Sequence, residues 1–82
     1  MGRPLREIAS EIRRDWKNVN YAAEPYLTAL AHLDAISDVY FCDTGEQIVL
    51  YFLSNAGTWH GKVAKRIKTE LRKIVDDYTR EK

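Results

Sequence analysis

Two histidines, one cysteine and an adjacent pair of aspartates are the residues of this chain whose types support catalysis or metal binding. Their spacing argues against both. Neither His32 nor His60 has a partner at the H-x-x-x-H or C-x-x-C separations that put two ligands on one metal ion. Cys42 stands alone between Phe41 and Asp43, and a lone cysteine in such a setting reads as a small buried hydrophobe. A nucleophilic thiolate needs an electropositive, partly exposed setting instead. Asp76 and Asp77 are neighbours, so on a helix they diverge by about 100° and cannot work as a paired acid and base. "GTWHGK" (57–62) lacks the glycine spacing and the hydroxyl after the lysine that a phosphate loop needs. No catalytic residue, cofactor site, metal site or small-molecule substrate is expected, and the chain does not read as an enzyme.

The stretch "NAGTWHGKVAKRIKTEL" (55–71) carries a different chemistry. Six basic residues lie between Lys62 and Lys73, on a helix with an apolar stripe of Val63, Ile67, Leu71, Ile74 and Tyr78. Gly57, Val63 and Ile67 resemble the second half of a helix-turn-helix, with Leu53, Thr58 and Arg66 departing from that pattern. Lys62, Lys65, Arg66, Arg72 and Lys73 are therefore candidate nucleic-acid contacts. Because the formal net charge is only +1, that binding is expected to be weak. Gly61, read as part of this helix, implies a close approach by a neighbour.

Aromatic side chains supply the other candidates. Trp16, Tyr21, Tyr26, Tyr40, Tyr51, Trp59 and Tyr78 are many for a domain of this size, and tyrosine and tryptophan are enriched where proteins meet. Trp59, His60, Tyr21 and Tyr40 are the candidate interface residues. Trp59 is expected to be the more exposed tryptophan, because Gly57 and Gly61 offer little side chain to cover it. Trp16, ending an apolar stripe, is expected to be buried.

These residues need helices to position them. Leu5, Ile8, Ile12 and Trp16 recur at three- and four-residue spacing behind Pro4, which marks an amphipathic first helix. "KNVN" (17–20) interrupts it, and Pro25 places the start of a second helix near Glu24. "DVYFC" and "IVLYFL" around "DTGEQ" fit either a β-hairpin or a helix over residues 38–53. Thr44 with Gln47 forms a capping-box pair and "EQIVLYFLSNA" lacks polar alternation, which favours a buried third helix ended by Gly57. The fourth helix is long, amphipathic and capped by Thr58. The expected fold is all-α, a single domain over 1–82 of about four helices.

Charge is distributed unevenly along the chain. Residues 18–57 contain Glu24, Asp34, Asp38, Asp43 and Glu46 and no lysine or arginine, between two basic segments. Such a layout suits self-complementary or partner contacts. The N-terminal segment has no apolar core of a signal peptide, no run of residues reaches membrane-spanning length, and a single cysteine makes no internal disulfide. A cytoplasmic location is the expectation, with no membrane contact.

Taken together, "PLREIA-EIR-DWKNV", "PYL-AL--L", "IVLYFLSNA" and "TWHGKVAKRIKTEL" resemble a group of small proteins encoded by phages and prophages of actinobacteria. Asp15, Trp16, Lys17, Asn18, Val19, Pro25, Tyr26, Leu27 and Ile48 to Ala56 carry the likeness, while His60 replaces an expected arginine. The resemblance implies an accessory protein working inside a bacterial host cell by binding. The partner would be a host protein or a second copy of the chain, as a homodimer.

Overall fold

The computed structural model describes residues 3–81; Met1, Gly2 and Lys82, which the single-domain reading included, lie outside them. The chain is mostly helical: α1 (Leu5–Asp15), α2 (Glu24–Leu30), a two-stranded antiparallel ribbon of β1 (Val39–Tyr40) and β2 (Asp43–Thr44), α3 (Gly45–Ser54) and α4 (Lys62–Glu81). The all-α expectation is thus corrected by one small ribbon. Residues 38–53 hold both structures that the sequence admitted, a tight hairpin followed at once by a helix. No helix of the described residues is long and apolar enough to cross a membrane.

Leu5, Ile8, Ile12 and Trp16 are all buried, as their spacing predicts. The first amides of α1 have no partners within the helix. They find them across the fold, where Leu5 N–H donates to Asp34 O (2.9 Å) and Arg6 N–H to Leu33 O (2.8 Å). That docking explains why α2 stops at Leu30 although "ALAHLDAI" continues a helical pattern. The Asp38 carboxylate accepts the Ala35 and Asp34 amides, turns the chain there, and frees those carbonyls to meet α1. The same two amide hydrogen bonds hold the Asp38 carboxyl below the usual carboxylate range.

The capping box at α3 forms as read: Gln47 N–H donates to Thr44 Oγ1 (3.2 Å), and Thr44 N–H donates to Gln47 Oε1 (3.0 Å). Burial of α3 is one-sided, however. Ile48, Val49 and Phe52 enter the core, whereas Leu50 and Tyr51 face out, so the expected fully buried helix is an amphipathic one.

The boundaries of the last two helices also move. Asn55, not Gly57, caps α3, and α4 begins at Lys62 rather than beside Thr58. Gly61 adopts φ +111°, a backbone state that suits glycine. A Cβ there would meet nothing within 4 Å, so conformation, and not a close neighbour, requires this glycine.

Ala64, Ile67, Leu71 and Val75 form the buried face of α4, with Val63 and Ile74 packed at its edge. An ionic lattice ties α4 to α1. Arg3 grips Glu70 through two hydrogen bonds (2.9 and 3.0 Å) and pairs with Glu11 at 2.6 Å, while Arg66 closes on the other oxygen of Glu11.

Candidate functional site

The loop before α4 corrects the reading of Trp59. Trp59 is 2% exposed and stacks on Trp16, with ring centroids 5.6 Å apart and planes inclined by 9°. The Phe52 ring meets both indoles edge-on. Trp59 Nε1–H donates to Asp15 Oδ2 (2.8 Å), which satisfies the polar tip of a buried indole. The glycines beside Trp59 do leave it uncovered locally. Its cover comes from the end of α1 and the middle of α3, which no local pattern reveals. Trp59 is therefore a core residue of this chain, and its candidacy as an exposed interface side chain falls with that exposure.

The remaining interface candidates do not converge. Tyr21 is 89% exposed on the turn before α2. His60 is exposed beside the buried Trp59. Tyr40 is half-buried and packs between His32 (5.4 Å) and Phe41 (4.7 Å).

The hairpin tip exposes residues that the sequence did not single out as interface candidates. The register Val39↔Thr44 and Tyr40↔Asp43 leaves Phe41 and Cys42 as a two-residue hairpin loop. Phe41 sits at φ +58°, in the left-handed region, and its side chain is 84% exposed. Positive φ at the first loop residue alone is the pattern of a type II′ turn, where glycine is the usual occupant. Cys42, expected in the core, is exposed at the same tip. Three further apolar side chains, one on β1 and two on α3, are also in solvent. They are Val39, Leu50 and Tyr51, and Tyr51 packs against Tyr26 of α2 with centroids 5.3 Å apart. An aromatic residue in a two-residue loop, "YFCD" without a glycine, was the available signal. It could not be read until the pairing register was known.

The basic candidates divide in two. Arg66 is committed to Glu11, and Lys73 lies 3.3 Å from Asp77. Lys62, Lys65 and Arg72 are exposed and form no ion pair among the described residues. The helix-turn-helix geometry is not formed, because residues 55–61 separate α3 from α4 where that motif uses a turn of three or four residues. Trp59, which would sit at the reading end of a recognition helix, points inward. The Lys68 ammonium donates to Trp59 O (2.7 Å) and lies 5.8 Å from the centre of its ring. Burial, and then Arg72, push the Lys68 pKa down.

Among the described residues no group of three His, Cys, Asp or Glu side chains is placed to share a metal ion. His32 uses Nδ1 on Thr28 O (2.9 Å). In comparisons with known proteins, no family model, no characterised protein and no solved structure matches the chain.

Proposed function

We propose that this is a non-enzymatic accessory protein of the phage type that acts inside its host cell by binding protein, either a host protein or a second copy of itself. One observation carries the reading: Phe41 is held in the left-handed region with its ring in solvent. That conformation costs a non-glycine residue roughly 1–2 kcal/mol. Burying the ring would be worth about 1.5–3 kcal/mol, and the free protein does not recover it. A hairpin built for folding alone would place glycine at this position. Strain kept at an exposed aromatic residue points to a contact made by that residue.

Val39 beside the tip is exposed too, and Asp43 is an exposed carboxylate at the tip, in a segment without lysine or arginine. A partner surface with an apolar pocket bordered by cations complements this tip. The α4 face of a second copy offers cations of the required sign, in a head-to-tail contact.

The test compares the wild type with Phe41→Ser. Sedimentation equilibrium from about 1 μM to 1 mM reads self-association, and a pull-down from nuclease-treated host lysate reads partner capture. The wild type is expected to associate or to retain a protein, with at least a tenfold loss in the variant and an unchanged far-ultraviolet spectrum. A wild type that stays monomeric and captures only what Phe41→Ser captures would sink the proposal.

A further inference from the structure

The cations of this protein fall into two populations. Arg3, Arg6, Arg13, Arg66 and Lys73 each hold a carboxylate. Among the described residues Arg14, Lys17, Lys62, Lys65, Lys68, Arg72 and Arg80 hold none, and of these Lys65, Lys68 and Arg72 line one groove of about 390 Å³. Trp59, His60 and Gly61 also line it, and no aspartate or glutamate does.

The placement follows from helix geometry. Residues 65, 68 and 72 share one face of α4 and span about 10 Å of its axis at 1.5 Å per residue. Asp76 follows one turn after Arg72 and marks the end of the basic strip. Lys68 is the telling member. Its side chain is half-buried, and its ammonium spends one donor on Trp59 O, so two N–H donors remain for another acceptor. Where Arg3 is similarly half-buried, two carboxylates neutralise it. Lys68 has instead a like-charged neighbour: burial, and to a lesser extent Arg72, depresses its pKa. A cation set this short of counter-charge favours an anion that accepts several charge-assisted hydrogen bonds at once.

We propose that the groove between the 59–61 loop and α4 is a binding site for a phosphoryl oxyanion, with Lys65, Lys68 and Arg72 as its donors. Phe41 is not part of the groove. Because a head-to-tail contact would cover the same cations, the titration is run with the Phe41→Ser variant as well as the wild type, so that the two proposals fail separately. The same oxyanion chemistry is offered by a nucleic-acid strand and by a free phosphorylated molecule, and the titration separates these sources.

Trp59 is a built-in reporter, because its ring lies 5.8 Å from the Lys68 ammonium. Tryptophan emission is followed while the protein is titrated with inorganic pyrophosphate or, separately, with an oligothymidylate of about 12 nucleotides, at two salt concentrations. A saturable change with either titrant is expected. A strand lying on all three cations would follow a salt slope of about −2, so its affinity would fall roughly 20-fold between 50 and 200 mM salt. Saturation by pyrophosphate without tighter binding of the strand would assign the site to a small phosphorylated ligand.

The control is Lys65→Gln/Arg72→Gln, which keeps Lys68 on the Trp59 carbonyl and changes only exposed charges. It should fold normally and bind at least tenfold more weakly. The proposal is overturned if neither titrant gives a saturable response by about 10 mM, or if the double variant binds as tightly as the wild type.

Discussion

Replacing Gly45 with alanine puts the packing of α3 to a test whose sign, and not only its size, depends on the tertiary structure. Gly45 is the first residue of α3, and its φ is not positive, so the helix itself would accept alanine there. On local grounds the change should stabilise by about 0.4–1 kcal/mol, through lower entropy of the unfolded chain. The fold reverses this. A Cβ at position 45 would lie 2.5 Å from Ile36 O and 2.9 Å from Ile36 C, and these are backbone atoms that cannot swing aside. Relief requires α3 to retreat from the 36–38 turn, which stretches the Gly45 N–H bond to Asp38 O (2.7 Å).

Overpacking of this kind costs typically 1–3 kcal/mol, so a net loss of about 1–2 kcal/mol remains after the local gain. For a domain of this length that lowers Tm by roughly 5–15 °C. The assay is thermal and urea unfolding followed by circular dichroism. Two sister variants calibrate it. Gly57→Ala meets nothing within 4 Å at an ordinary φ and should raise stability by about 0.4–1 kcal/mol. Gly61→Ala also enters open space, but at φ +111° it should cost about 1–3 kcal/mol through strain alone. A Tm for Gly45→Ala at or above that of the wild type would refute the close approach of α3 to Ile36.

The Asp15–Trp59 hydrogen bond joins residues far apart in sequence, so Asp15→Asn should destabilise by about 1 kcal/mol in urea unfolding and perturb the near-ultraviolet signal of the stacked indoles. Iodide should quench neither tryptophan appreciably, and strong quenching of a Trp16→Phe variant would contradict the burial of Trp59. Glu11 is held below the usual carboxylate range by Arg3 and then Arg66, and Glu24 by Arg13. Their stabilisation is present above the ordinary value of 4.5 and is lost as pH falls through the lower folded values, so stability should drop on acidification and Glu11→Gln should flatten that limb. Lys68 acts in the same sense, but in an alkaline window. Between its lowered folded pKa and the ordinary 10.5, the unfolded chain binds more protons, stability rises with pH, and Lys68→Met should remove the rise.

The sequence by itself determined the parts of this protein that depend on near neighbours. Periodicity placed Leu5, Ile8, Ile12 and Trp16 on one buried face of α1, and Ile67 and Leu71 on that of α4, because a 3.6-residue repeat is written into the chain whatever it packs against. Pro25 marked the start of α2, and Thr44 with Gln47 fixed the start of α3, since a capping box is closed within four residues. The basic face of α4 was legible for the same reason, without the distinction between its paired and unpaired cations.

Tertiary contact decided the rest. Trp59 looked exposed between two glycines, yet Trp16, Phe52 and Asp15 arrive from other elements to cover it and to satisfy its N–H. Arg66 and Lys65 are alike in sequence. Only the approach of Glu11 on α1 removes one of them from the free basic strip. Phe41 gained its exposure and its positive φ from a hairpin register that no single residue encodes. Both candidate surfaces depend on which charges and rings remain unmatched once distant segments meet, and local spacing has no access to that distinction.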